Sequence, residues 1–402
     1  MPKVDFLLIG GGIIGISIAR ELKSRHPSSS VCILEKEPQC GLHASGRNSG
    51  VLHAGFYYTA DSFKARFTRE GNQRLTEYCE SKKIKINKCG KLIVAQNESE
   101  LVWLDELMVR AKNNSVPLKS ISAEEACSIE ARAITYQRAL FSPTTSSVDP
   151  IELVKNLLSD AINQGVKLIN NAQYLRRVGE QSIETSAGIF ESNYLINVAG
   201  LYADKIGNDF GFSKDHRILP FKGLYLYSDE PAGSLKTHIY PVPDLKNPFL
   251  GVHFTITTDG KIKIGPTAIP AFWREQYQGW SNFNANELTE IILRQAKLFL
   301  SSSFDFKTLA FREIKKYSKP LLVSLAAKLV KEVDIKHYRK WGQAGIRAQL
   351  LNIKKKELEM DFILEGDHHT MHILNAVSPG LTCALPFADY VCDQIESKVS
   401  EY

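Results

Sequence analysis

The sequence predicts an α+β fold in which a Rossmann-type βαβ dinucleotide-binding domain is interleaved with a β-rich antiparallel domain. Three observations carry that prediction. A glycine turn, Gly10-Gly-Gly-Ile-Ile-Gly15, directly follows a short apolar run; a second apolar run ends in an acid 20 residues beyond Gly15; and from Arg217 onward the pattern changes to short alternating segments separated by Pro, Asp and Gly. The first two are the parts of a βαβ dinucleotide site in their required order and spacing. The third has the period of half-buried strands.

Residues 5–9 read as a buried strand, 16–22 as the apolar-periodic body of a helix, and Val31-Cys-Ile-Leu-Glu35 as a second buried strand. Gly10 allows the tight turn, Gly12 lets the backbone approach a pyrophosphate, and Gly15 lets the helix pack on the sheet. The helix start, at Ile14, offers unpaired N–H groups to that anion. Glu35, followed by Lys36, would accept hydrogen bonds from a ribose diol. Residues 23–30 are a polar surface loop; 65–84 read as a helix, 91–95 as a strand, 98–113 as a helix and 124–134 as an irregular helix. The Pro/Ser/Thr-rich stretch 141–150 reads as a crossing between domains, and Asp149-Pro150 opens a helix to Gly165. A strand at 166–169 and a hairpin at 183–190 lead to Tyr194-Leu-Ile-Asn-Val-Ala-Gly200, an apolar strand ending in Ala199-Gly200.

Segments 223–227, 237–242, 249–255 and 261–266 alternate as antiparallel strands, and helices return at 285–301 and 319–331. Residues 360–372 read as a hairpin turning at Gly366, and a terminal helix ends near Ser397. The chain thus weaves between two domains. Residues 1–80, 145–212 and 342–402 are expected in the nucleotide part, and 81–144 and 213–341 in the β-rich part.

Hydrophobic residues make up 44% and charged ones 23%, the composition of a soluble globular enzyme and not of a disordered chain. The formal charge of +6 is mild and spread out, so no nucleic-acid partner is expected. Seven cysteines, at 32, 40, 79, 89, 127, 383 and 392, form no CxxC pair and read as reduced cytoplasmic thiols. The first strand begins too early for a signal or transit peptide, and no apolar run approaches the ~20 residues that span a bilayer. His368, His369 and His372 lack a carboxylate or thiol cluster to complete a site, so no metal is expected. Residues 315–336, an amphipathic stretch rich in lysine, read first as an ordinary packed helix. A second reading makes them a peripheral foot on the inner face of a membrane.

The stretch Ser45-Gly-Arg-Asn-Ser-Gly-Val-Leu-His-Ala-Gly55 resembles the flavin-proximal loop and helix of the FAD-dependent D-amino acid oxidase and glycerol-3-phosphate dehydrogenase superfamily. Tyr194–Gly200 resembles its second flavin strand, Gly345-Ile-Arg-Ala348 its Gly-x-Arg-Pro element, and Gly380-Leu-Thr382 its loop and helix start beneath the flavin ring. Within that group the chain is most similar to the L-2-hydroxyglutarate dehydrogenase/oxidase family. The matching pieces are Asn48-Ser-Gly-Val-Leu-His-Ala-Gly-Phe-Tyr-Tyr58, Cys89-Gly-Lys-Leu-Ile-Val94, Pro220-Phe-Lys-Gly223, Leu250-Gly-Val-His-Phe-Thr255, Gly345-Ile-Arg-Ala-Gln349 and Asn375-Ala-Val-Ser-Pro379. They are collinear over nearly the whole chain. The departures are Ala348 for Pro, Lys222-Gly-Leu224 for Arg followed by Gly-Glu, and Gly380-Leu381 for small residues.

The resemblance implies noncovalent FAD and oxidation of L-2-hydroxyglutarate to 2-oxoglutarate by hydride transfer to flavin N5, with oxygen or a quinone as electron acceptor. It implies flavin contacts at Ser45, Asn48, Ser49, Gly50, Ala199, Gly200, Pro379, Gly380, Leu381 and Thr382. Losing the hydroxyl proton favours a base poised near neutrality, and His53 and His253 both lie in matching segments. His253 is the favoured base, because strand alternation aims it at the substrate; His53 would contact or orient the flavin. Arg347 would grip the carboxylate beside the reacting carbon through two parallel hydrogen bonds. Lys222 would serve the distal carboxylate, and Tyr57, Tyr58 and Tyr225 are candidate hydroxyl donors. Alternative readings are another enzyme of the superfamily acting on glycerol-3-phosphate or glycine, a nicotinamide-dependent dehydrogenase, and a non-enzymatic nucleotide sensor.

Overall fold

The computed structural model describes residues 3–244, 249–301 and 305–400. Two compact units emerge: residues 1–48, 150–220 and 347–402 form one, and 49–149 with 221–346 the other.

In the first unit, strand Val4–Ile9 lies between Val31–Leu34 and Gly188–Asn197, parallel to both, with Phe6 opposite Val31 and Tyr194. Lys167–Ile169 extends the parallel sheet on one side. On the other, Thr370–Ile373 pairs in parallel with Gly188–Asn197. Helix Ile13–Arg25 buries Ile16, Ile18, Ala19 and Leu22 and lies against helices Pro150–Asn163 and Gly380–Ser400. Each of the Ile and Leu side chains stabilises the fold by about 1.5–3 kcal/mol on burial. The expected hairpin at 183–190 is present as Ser182–Thr185 paired with Gly188–Asn197.

The second unit is built on an eight-stranded sheet. Its order is Tyr338–Trp341, Leu226–Ser228, Ile262–Gly265, His253–Ile256, His238–Pro241, Lys91–Val94, Arg138–Ser142 and Lys119–Ser122. Its neighbours are antiparallel except Lys91–Val94 with His238–Pro241, which is parallel. Because successive side chains of a strand point to opposite faces, the register sorts the residues. Leu92, Val94, Leu226, Ile239, Phe254, Ile256, Ile262 and Ile264 form a buried apolar cluster with Leu322, Val323, Ala326, Leu329 and Val330. Lys91, His238, Tyr240, His253, Thr255, Lys263 and Tyr227 share the other face.

Several expectations need correction. Residues 49–80 belong with the second unit: Val51–Leu52 pairs with Ser146–Val148, which also pairs with Ile86–Asn87. Helix Phe63–Ser81 is tied in through Asn72, whose Nδ2 donates to the carbonyls of Leu52 and Thr144 at 3.1 Å. The supposed crossing at 141–150 therefore contains a strand. Residues 213–220 stay with the first unit, where Asp204 accepts from the Ile218 N–H at 2.9 Å. Residues 342–346 stay with the second, where the Gly342 N–H donates to the Tyr225 carbonyl at 2.8 Å.

Helix Phe306–Lys315, capped by Asp305, has no counterpart in the sequence reading, and the helix expected at 319–331 ends at Ala326. The apolar side chains of that last helix pack into the sheet cluster, and Lys316 is buried in an ion pair with Glu313 at 2.5 Å. Residues 315–336 thus spend their apolar face on their own unit. Among the described residues no helix is long and apolar enough to cross a membrane.

Candidate functional site

In the first unit the glycine turn is dictated by space. Gly10 adopts φ +120°, and a Cβ there would meet the Val198 carbonyl oxygen at 2.5 Å. A Cβ on Gly11 would meet Cys40 Sγ at 2.5 Å, and one on Gly15 the Gly10 carbonyl oxygen at 2.1 Å. Gly12 is the N-cap of helix Ile13–Arg25 and supplies no side-chain cap. Instead Ser45 Oγ accepts from the Ile13 N–H at 2.9 Å. Glu35 is buried: Oε2 accepts from the Gly11 N–H at 2.8 Å and Oε1 from the Glu37 N–H at 2.9 Å. The carboxylate so braces the turn, and its two oxygens retain acceptor capacity for a diol. Lys36 pairs with Glu37 at 3.0 Å and lies over the Tyr202 ring. This bare-backbone cradle, a helix N-terminus and an acceptor at the end of the second strand fit the ADP half of FAD.

Asn48 donates to the carbonyls of Ala44 and Ser45 at 3.1 and 2.7 Å, which fixes the loop after the cradle. The Ala199 N–H donates to Asn197 Oδ1 at 3.2 Å, and Gly200, at φ +53°, begins a short helical turn. Gly380 begins the helix Gly380–Ser400, preceded by Pro379, with Leu381 and the fully buried Thr382 in its first turn. Arg347, on strand Gly345–Asn352, donates through Nε to Gln349 Oε1 at 2.9 Å. Gln349 Nε2 is in turn anchored on the Glu359 carbonyl at 2.7 Å. His372 is a structural residue: Asn197 Nδ2 donates to its Nδ1 at 3.1 Å, and Phe210 and Phe212 flank it.

In the second unit the polar sheet face gathers His253, His238, Tyr240, Lys91 and Lys263. His253 is 3% exposed, and its ring stacks on Tyr240 at a centroid distance of 3.7 Å. Its Nδ1 lies 2.8 Å from the Gly251 carbonyl oxygen, an acceptor only, so Nδ1 carries the proton. The neutral ring then presents a lone pair at Nε2. Burial first, with the nearby lysine charges, lowers its pKa to about 3. His238 has the opposite tautomer: its Nδ1 accepts from the Ile256 N–H at 3.0 Å, so Nε2–H faces Ser147 Oγ at 3.2 Å. With both nitrogens committed, His238 is structural. His53 is partly exposed and held well below its ordinary pKa by burial, then by Lys91, His253 and His238.

Ser49 accepts from Lys263 Nζ at 3.0 Å through its carbonyl, and Gly50, at φ +75°, accepts from the Val148 N–H at 2.8 Å. Lys263 sits over Tyr225 and Tyr227, and burial lowers its pKa to about 8. Lys222 is buried near Thr267, and desolvation lowers its pKa as well. Tyr58 lies under Lys64, while the Oη of Tyr57 is buried without a hydrogen-bond partner. Lys91 lies within the matching segment Cys89–Val94, where its residue type alone signals an ordinary strand lysine.

The family model described as FAD dependent oxidoreductase (DAO) matches residues 5–394. L-2-hydroxyglutarate dehydrogenase, mitochondrial, of Homo sapiens is 34% identical, covering 98% of this chain and 89% of the human protein. L-2-hydroxyglutarate dehydrogenase of Indibacter alkaliphilus is 33% identical over 97% of this chain and 98% of its own. Among solved structures, the FAD-bound L-alpha-glycerophosphate oxidase of Mycoplasma pneumoniae superposes with a TM-score of 0.77 at 21% identity, covering 98% of this chain and 95% of that one. Glycine oxidase from Geobacillus kaustophilus does so with a TM-score of 0.75 at 20% identity, over 99% and 96%. These two similarities speak for the fold alone. The glycine cradle, the sheet architecture and the matched length agree: this chain belongs to the FAD-dependent oxidoreductase (DAO) family.

Proposed function

We propose that this protein oxidises L-2-hydroxyglutarate to 2-oxoglutarate with noncovalently bound FAD. Full-length similarity to dehydrogenases of that substrate carries the choice of substrate. The observation that carries the chemistry is the tautomer of His253, whose Nδ1–H is fixed on the Gly251 carbonyl. FAD, when bound, supplies the hydride acceptor. His253 Nε2 takes the hydroxyl proton, and burial keeps that nitrogen unprotonated at neutral pH. Arg347 binds the carboxylate beside the reacting carbon, Lys222 the distal carboxylate, and His53 orients the flavin. The N-terminus of helix Gly380–Ser400 would favour negative charge on the flavin ring when FAD is bound. Oxygen or a quinone takes the electrons.

The test is anaerobic bleaching of the bound flavin. L-2-Hydroxyglutarate should bleach it, while D-2-hydroxyglutarate, glycerol-3-phosphate, L-lactate and glycine should leave it yellow. Bleaching by glycerol-3-phosphate or glycine alone would transfer the enzyme to another branch of the family. Readmitted air that restores the colour within a turnover would identify oxygen as acceptor; a reduced enzyme stable in air would favour a quinone.

Arg347→Lys is expected to raise KM and lower kcat together, because one ammonium cannot reproduce a two-bonded fork and misplaced reacting atoms lose rate steeply. Steady-state kinetics on the FAD-loaded variant checks this. Wild-type values would return Arg347 to its structural bond with Gln349.

A further inference from the structure

Lys91 is a fully buried cation without an anion. It opens the strand Lys91–Val94 at 0% exposure, and its Nζ has no hydrogen-bond partner. Three aromatic rings hold it instead, with centroids 4.5 Å away for Tyr57, 4.7 Å for Phe56 and 4.8 Å for Tyr240. Ring faces attract a cation, but water solvates an ammonium far better. The balance lowers the pKa of Lys91 to about 7, with burial as the cause.

The surroundings are histidines. His238 is the cross-strand partner of Lys91 in the parallel pair. Tyr240, one of the three caging rings, carries His253 stacked on its other neighbour side at 3.7 Å. His53 stands three residues before Phe56 in the segment that supplies the other two rings. Burial first, and the Lys91 charge after it, lowers the pKa of all three imidazoles.

The other titratable neighbours do not neutralise it. Burial holds Tyr57 and Tyr240 protonated and pushes the Cys89 thiol up to about 11. Tyr58, from the same segment as Tyr57, acts on the Tyr57 hydroxyl. Lys263, three strands away, bonds the Ser49 carbonyl, and Lys316 is paired with Glu313. No carboxylate pairs with Lys91 among the described residues.

We propose that Lys91 is a positioning residue for the histidine pair: its ring-caged ammonium places a like charge beside the Tyr240–His253 stack and the His53 segment, and so adds to burial in leaving the base nitrogen available to the substrate hydroxyl. The inference rests on His253 as base for its consequence in catalysis, but the electrostatic effect is measurable without turnover.

The experiment is a pH titration of the histidine rings in the FAD-loaded enzyme by two-dimensional NMR, with His53 and His253 assigned through single Asn variants. In wild type both rings should remain neutral well below the ordinary histidine value of about 6.5. In Lys91→Met at least one should bind protons tenfold more tightly, a rise of about one pKa unit. Lys91→Arg, which retains the charge, should restore wild-type behaviour. The acid limb of the flavin-reduction rate should move to higher pH in Lys91→Met by the same amount, which a merely structural role would not produce. Unchanged ring titrations in a folded Lys91→Met enzyme overturn the proposal. Where that variant does not fold, Lys91→Gln carries the same test, and unchanged ring titrations in it overturn the proposal equally. A ring shift without a shifted rate limb would leave Lys91 in place and remove His253 as base.

Discussion

His253→Ala is expected to slow flavin reduction by L-2-hydroxyglutarate ~10²–10⁴-fold while FAD and substrate still bind. The loss follows from removing the lone pair that the Gly251 carbonyl holds in position. The pH dependence has a definite sign. A base works when unprotonated, and burial lowers the pKa of His253 to about 3. The wild-type rate should therefore stay level from neutrality down through about pH 5 and fall only as the pH approaches the lowered value. In the variant that fall should vanish. Anaerobic stopped flow at 450 nm across this range is the measurement. If His53→Ala shows the pattern instead, with flavin bound, the two histidines exchange roles. If neither does, the base is another group.

Gly15→Ala is expected to abolish FAD retention and to lower the thermal midpoint of the protein. An alanine normally favours a helix by up to about 1 kcal/mol over glycine. Here its Cβ would lie 2.1 Å from the Gly10 carbonyl oxygen and 3.0 Å from Val198 Cγ2, so backbone must shift. Overpacking of this kind costs roughly 1–3 kcal/mol, occasionally more, which exceeds the propensity gain. Gly12→Ala is the informative companion. Its Cβ would meet only Ser45 Oγ at 3.2 Å, so its fold should survive while the approach of a pyrophosphate is blocked. The ratio of flavin to protein absorbance, with a melting curve for each variant, separates the two effects. Full flavin content in Gly15→Ala would mean that the turn is not the cofactor cradle.

The parts of this molecule legible in the sequence are those whose physics is local. The cradle was readable because its glycines, flanking strands and terminal carboxylate fall within residues 4–35. His253 could be assigned a face because its strand alternates, and the register puts it on the sheet face that also carries Tyr240, Lys91 and Lys263. Lys91 was not legible, because a lysine in a strand ordinarily points to water. Its burial depends on Tyr240, about 150 residues away in the sequence, and on Phe56 and Tyr57 from a third segment. The placement of residues 49–80 failed for the same reason, since the partner strand Ser146–Val148 carries too few residues to signal itself. Ser45, expected at the flavin, also caps the first helix, a duty no pattern of residue types announces.

The first unit is stitched from three separate lengths of chain, and its sheet and helix layer close only with Thr370–Ile373 and Gly380–Ser400. A ribosome delivers the glycine turn first and these closing pieces last. During synthesis, then, the strand Gly188–Asn197 emerges with one edge open, and helix Ile13–Arg25 lacks the helix that covers it. The second unit has all its segments by residue 346 and can form while the first still waits. A chain cut short near its C-terminus therefore loses a neighbour of the helix that follows the glycine turn, although every residue of the turn itself is present.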